Sequence, residues 1–189
     1  AWRKQGLPPL SIAVNLTARQ FCDEDLLSDL TSIMTETGMD PTLLEIELAE
    51  SVLIHDVENT LRILTGLKAL GIRIAVDDFG SGYSSLSMLQ RFPLDTIKID
   101  RSFMRDIVGT AEDTGLADAI IAMGKSLSLT VVAQGVETKE QAEHLRLHAC
   151  DELQGFYFKR PLPVDEFTQL LREQATEITY IGKRLGMKT

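Results

Sequence analysis

The sequence predicts an α/β fold, a TIM-type (β/α)8 barrel, here an incomplete barrel of about six βα units. Three observations predict it. Short apolar runs rich in β-branched residues alternate with amphipathic stretches six times, as in a parallel sheet covered by helices. Polar residues interrupt those runs at one recurrent place, near the strand ends: Asn15, Glu47, Asp77 with Asp78, Lys98 within the fourth run, and Gln134. A closed barrel brings the carboxyl ends of all its strands to one face, whereas an open doubly wound sheet focuses its site at a switch point. Residues drawn from consecutive strands therefore favour the barrel.

The elements follow in order. Residues 11–16 (SIAVNL) read as the first strand. Leu26, Leu27, Leu30, Ile33 and Met34 share one face of a helix over 23–37, which Gly38 stops. Residues 43–48 form the second strand, and Val57, Leu61, Leu64 and Leu67 mark a helix ending near Gly71. Residues 72–76 form the third strand. A short helix over 84–90 closes at Pro93, and 96–99 is the fourth strand. Leu116, Ile120, Met123 and Leu127 line the next helix, before a fifth strand at 129–133. Thr138 and Gln141 have the spacing of a capping box. A sixth strand is expected within 151–158 and a last helix around Phe167, Leu170 and Leu171. All strands are expected to be apolar throughout, with helices packed outside. Residues 1–173 read as one barrel domain and 174–189 as a polar, basic tail, helical or partly disordered. Residues 1–6 look like the end of a helix closed by Gly6, so the chain is expected to begin inside a longer protein.

The bulk composition narrows the function classes. The 189 residues suffice for one domain with a proper core. A net charge of −9 argues against a DNA- or RNA-polymer-binding surface, but leaves room for a small nucleotide held through metals. No apolar stretch approaches the roughly 20 residues of a membrane-spanning helix. The expected location is cytoplasmic, as a free protein or as the cytoplasmic part of a membrane-anchored sensor. Cys22 and Cys150 lack metal-type spacing and read as reduced, buried thiols. Met34, Met88, Met104 and Met123 read as core filler, and His55, His144 and His148 as surface polar groups.

Asp77 and Asp78 carry the chemistry. Two adjacent carboxylates at the exit of a buried strand cost free energy unless a positive group lies between them. Gly80 and Gly82, just beyond, allow a sharp turn and the close approach of a ligand. Asn15, Glu47, Asp77 and Asp78 form an oxygen-only donor set, which suits Mg²⁺, Mn²⁺ or Ca²⁺ rather than zinc. Lys98 is placed to steady phosphate charge or hold an attacking water.

Several segments resemble the EAL domain family in the expected order: 14–21 (VNLTARQF), 44–51 (LEIELAES), 75–86 (AVDDFGSGYSSL), 97–103 (IKIDRSF), 132–138 (VAQGVET), 154–156 (QGF) and 160–163 (RPLP). The resemblance spans nearly the whole chain. It implies a bacterial β/α barrel that hydrolyses cyclic di-GMP to linear pGpG with two Mg²⁺ or Mn²⁺ ions, Ca²⁺ being inhibitory. It also implies a homodimer, and a sensor or GGDEF domain upstream in the same polypeptide. Asn15, Glu47 and Asp77 would bind one metal, and Asp77 and Asp78 the second. Lys98 would contact the nucleophilic water, and Glu137 would order the loop over 78–84. Arg19, Gln154, Arg160 and Pro161 would touch the nucleotide.

Two departures qualify the resemblance. The Glu-Ala-Leu motif that names the family does not occur in the 189 residues and is expected to precede Ala1. Gln134 stands where the family carries a glutamate serving the second metal and cast as general base. Glutamine keeps an oxygen donor, but it has no charge and cannot take a proton. The resemblance therefore implies weakened binding of the second metal and impaired catalysis. The alternative is a catalytically impaired EAL module acting as a cyclic di-GMP receptor or a dimerisation module.

Overall fold

The computed structural model describes residues 2–7, 9–54, 56–80, 86–104, 107 and 111–184. The chain divides into two compact units, Ser11–Phe158 and the pair of segments Ala1–Leu10 and Lys159–Thr189.

The larger unit holds six strands: β1 (Ile12–Leu16), β2 (Leu44–Ala49), β3 (Arg73–Phe79), β4 (Thr96–Ile99), β5 (Thr130–Gln134) and β6 (Glu152–Gln154). They form one sheet in the order β1-β2-β3-β4-β5-β6, and every pairing is parallel. The helices are α1 (Ala18–Phe21), α2 (Leu26–Thr37), α3 (Val57–Ala69), α4 (Leu86–Arg91), α5 (Ala111–Ser126) and α6 (Lys139–Leu147). Consecutive strands are neighbours and helical segments connect them, as in an incomplete β/α barrel.

The strands are not apolar throughout. Ile46, Leu48, Ile74, Val76, Ile97, Ile99, Val131 and Ala133 occupy alternate positions and are buried in the core. Ile63, Leu64 and Leu67 of α3, Ile120 and Ile121 of α5, and Ala142 and Leu145 of α6 belong to the same core. The intervening positions are largely polar: Glu45, Glu47, Arg73, Asp77, Thr96, Lys98, Gln134 and Gln154. Side chains alternate across a strand, so the sheet has an oily face under the helices and a polar face opposite. At the sheet edge, β1 leaves Ile12 46% and Val14 41% exposed.

Three local differences have physical causes. The helix expected at 23–37 begins at Leu26, because the Asp23 carboxylate accepts the Asp25 N–H at 3.0 Å and turns the chain first. Before it, Thr17 and Gln20 form a reciprocal capping box that starts the separate helix α1. Strand β6 spans three residues, because the chain then folds onto Val136: Val136 N–H donates to the Gln154 carbonyl, and Tyr157 N–H to the Val136 carbonyl. Thr138 and Gln141 do form a capping box at α6, and Gln141 also donates to the Met104 carbonyl at 2.7 Å. Of the expected helix over 84–90, positions 84 and 85 lie outside the described residues, as does His55.

In the smaller unit a 3-10 turn covers Trp2–Gln5, and Gly6 follows with φ 73°. The Trp2 indole Nε1 donates to Thr168 Oγ1 at 2.8 Å, and its ring lies 5.4 Å from that of Phe167. Both partners belong to α7 (Val164–Arg184), which runs through position 174.

Candidate functional site

Parallel register fixes which polar residues meet. Asn15 lies opposite Glu47 across β1 and β2, and Ala49 lies opposite Asp77 across β2 and β3. Lys98 pairs with Val132, and Gln134 with Gln154. Side chains two residues apart on a strand share a face. Asn15, Glu47, Asp77, Lys98, Gln134 and Gln154 therefore all belong to the polar face. Every strand contributes to a cavity of about 330 Å³ on that face; Glu45, Arg73 and Thr96 line it with Glu47, Lys98 and Gln154, whereas Asn15, Asp77 and Gln134, nearer the carboxyl ends of the strands, do not.

The face is organised in layers along the strands. At the amino-terminal end, Thr96 Oγ1 donates to Glu45 Oε2 at 2.9 Å, and Arg73 Nε lies 3.4 Å from the same oxygen. In the middle, the Lys98 ammonium donates to Glu47 Oε1. Both partners are buried, at 6% and 4% exposure, so each charge depends on the other for compensation. At the carboxyl-terminal end, Gln134 Nε2 donates to Asp77 Oδ1 at 2.9 Å.

Asp78 departs from the strand pattern. The register of β3 against β4 shifts between Val76 and Phe79, and Asp78 adopts φ 52°, the left-handed region. The break lets its carboxyl group meet Asp100, just past β4, while it still feels the charge of Asp77. Burial, the hydrogen bond with Asp100 and the negative charges of Asp77 and Asp100 together raise Asp78 above the ordinary carboxylate range. Burial would also raise Asp100, but bonds from the Ser102 hydroxyl and N–H, the bond from Asp78 and the Arg101 charge outweigh it and lower Asp100.

In donor chemistry, though not yet in spacing, the set suits a hard divalent cation. Asn15, Glu47, Asp77 and Asp78 offer only oxygen, come from three adjacent strands, and have two of their carboxylates already drawn to Lys98 and Gln134.

The other expected residues are placed as follows. Arg19 is an exposed residue of α1. Glu137 is exposed just before the α6 cap, and its N–H donates to Gln141 Oε1 at 2.7 Å. Arg160 and Pro161 belong to the smaller unit.

Sequence reasoning missed Glu50. It is 4% exposed, and its Oε2 accepts the Gly80 N–H at 3.1 Å, which anchors the start of the turn after Asp77-Asp78. Positions 81–85 lie outside the described residues. Glu45, Arg73 and Thr96 were missed too, although a period of two from Glu47, Asp77 and Lys98 points to each. Cys22 proves exposed rather than buried, and Cys150 half-buried; both are free thiols. Cys150 Sγ lies 3.4 Å from the Val131 carbonyl, and burial pushes the thiol up to about 11.

A parallel β/α sheet with an oxygen-rich rim at the strand carboxyl ends defines an incomplete β/α-barrel domain. The chain belongs to the EAL domain family, whose pattern matches residues 1–161. It is 43% identical over 176 residues to the signaling protein YkoW of Bacillus subtilis, covering 93% of this chain and 22% of that protein. It is 39% identical over 165 residues to the bifunctional diguanylate cyclase/cyclic di-GMP phosphodiesterase MucR of Pseudomonas aeruginosa, covering 87% of this chain and 24% of MucR. The structure of PaMucR phosphodiesterase in its c-di-GMP complex superimposes with a TM-score of 0.83, covering 88% of this chain and 67% of that one. The manganese/cy-diGMP complex of Klebsiella pneumoniae BlrP1 superimposes with a TM-score of 0.76 at 32% identity, covering 84% and 41%. The chain spans about a fifth of the length of the curated relatives it matches. Among the described residues, no helix is long and apolar enough to cross a membrane.

Proposed function

We propose that this chain is the cyclic di-GMP-binding EAL domain of a bacterial signalling protein, and that its polar rim carries out hydrolysis of cyclic di-GMP to pGpG. The observation that carries the reading is the shared face of Asn15, Glu47, Asp77, Lys98 and Gln134, in a chain that superimposes on a cyclic di-GMP complex. Asn15, Glu47, Asp77 and Asp78 hold Mg²⁺ or Mn²⁺. A bound divalent ion there supplies polarisation of phosphoryl oxygen and a more acidic water. Lys98 keeps Glu47 oriented and brings positive charge to the phosphate. Arg19 and Gln154 take the nucleotide, and Glu137 acts with Glu50 in ordering the segment after Asp78. The setting is cytoplasmic, within a dimer and downstream of a sensor or GGDEF domain.

Gln134 favours a second reading, a receptor that binds the dinucleotide and turns it over slowly or not at all. Its amide gives Asp77 a hydrogen bond where a carboxylate would give the rim another charge and a proton acceptor. One experiment separates the two. The chain is incubated with cyclic di-GMP and Mn²⁺ while pGpG is followed by chromatography, and binding is measured in parallel with Ca²⁺. Turnover supports the enzyme, and binding without turnover supports the receptor. Failure to bind overturns both.

A further inference from the structure

On the outer layer of the larger unit, Asp118 of α5 faces His144 and His148 at the carboxyl end of α6. Each offers one ligand atom, and the three atoms lie within 4.8 Å of one another. His144 Nε2 is 2.9 Å from Asp118 Oδ1, and His148 Nε2 is 3.5 Å from Asp118 Oδ2. The two imidazoles stack with centroids 4.1 Å apart, as an i,i+4 spacing on one helix face permits.

His148 is also held from its other ring nitrogen. His148 Nδ1 lies 2.9 Å from the His144 carbonyl oxygen. A carbonyl can only accept, so Nδ1 carries the hydrogen. In the neutral ring, Nε2 then presents a lone pair to the Asp118 carboxylate, and two acceptors face each other across 3.5 Å. A proton on Nε2, which makes the contact an ion pair, or a metal cation held between the two groups resolves that opposition. An Nδ1–H anchored on a backbone carbonyl is also the support that metal-ligating histidines use to fix their tautomer.

We propose that Asp118, His144 and His148 form a binding site for a borderline transition-metal dication of the Zn²⁺ class, separate from the oxygen-only rim. Two imidazole nitrogens and one carboxylate oxygen suit Zn²⁺, Ni²⁺, Co²⁺ or Cu²⁺, and do not suit Mg²⁺. Ligands at about 2.0–2.2 Å from a tetrahedral ion lie roughly 3.3–3.6 Å apart, so the His148 contact already has the needed spacing, while His144 opens slightly from Asp118 and the stacked rings turn to face one ion. All three side chains are partly solvent-accessible, so an ion can enter and complete its shell with water. The ion pins α5 to α6, the two helices that bracket β5 and its Gln134.

The test is a calorimetric titration of the tag-free chain with Zn²⁺, in Mg²⁺ sufficient to occupy the rim. The expected result is one Zn²⁺ equivalent that is retained in Asp77→Asn and weakened about tenfold or more in the double variant His144→Gln/His148→Gln. His148→Gln alone, at an exposed helix end, serves if circular dichroism shows the double variant unfolded. Zn²⁺ binding is also expected to raise the melting temperature of the parent and not of the histidine variants. No Zn²⁺ heat in the parent, an isotherm indifferent to the histidines, or binding abolished by Asp77→Asn overturns the site.

Discussion

Gln134 reaches from β5 across β4 to Asp77 on β3, donating its Nε2 hydrogen to Oδ1 at 2.9 Å. The bond replaces charge with a neutral tether at the top of the rim. Gln134→Glu removes the donor and sets two carboxylates together. Without divalent cations the variant is expected to lose about 1–2 kcal/mol of stability, read by urea unfolding. With Mn²⁺ it is expected to bind the ion at least about tenfold more tightly and to gain phosphodiesterase turnover, since the rim acquires a charge and a proton acceptor. Unchanged Mn²⁺ affinity would separate Gln134 from the metal site.

Lys98 and Glu47 are both buried and ion-paired. Lys98→Met leaves Glu47 without its counter-charge and is expected to cost about 3–5 kcal/mol. The double variant Lys98→Met/Glu47→Gln is expected to recover much of that loss, because no unpaired charge remains. If the double variant is as unstable as the sum of the single ones, the pair is not coupled.

Gly155 ends the sixth strand against Val136, where an added Cβ would lie 2.0 Å from the carbonyl oxygen and 2.3 Å from the nitrogen. Backbone cannot retreat as a flexible side chain can, and this backbone is held by bonds to Gln154 and Tyr157. Gly155→Ala is expected to cost about 4 kcal/mol or more, seen as a lowered melting temperature or loss of soluble protein. A neutral effect would mean that the turn after β6 is arranged differently.

Cys22 is exposed, whereas the Cys150 thiol is half-buried and raised to about 11. At pH 8, one thiol is expected to react quickly with a thiol reagent and the second only slowly or on unfolding, with peptide mapping assigning the fast one to Cys22. The same shift carries a pH dependence. Between the ordinary value of 9.0 and about 11, the unfolded thiol loses its proton while the folded one keeps it. Cys150 therefore makes stability fall as pH rises through that window, an effect Cys150→Ala should remove.

Much of the fold was legible because alternation of apolar runs and amphipathic helices is dictated by burial, and burial leaves a periodic mark. Asn15, Glu47, Asp77 and Gln134 stood out as polar interruptions near strand ends for the same reason. The inner row of Glu45, Arg73 and Thr96 was obscured by treating strands as wholly apolar, a pattern that holds only where both sheet faces are oily. Asp118 could not have been joined to His144, because the link crosses 26 residues and depends on how two helices pack. The break at Asp78 was hidden as well, since a left-handed aspartate and a register shift leave no periodic trace.

Among the described residues β1 is paired with a strand on one side only, β2, and its Ile12 and Val14 stand open to water at that sheet margin. Such a margin zips readily onto any extended polypeptide that supplies complementary backbone groups and apolar side chains. How this domain behaves in a test tube, whether dispersed or clumped, is consequently governed by whatever lies alongside β1 as much as by its own core.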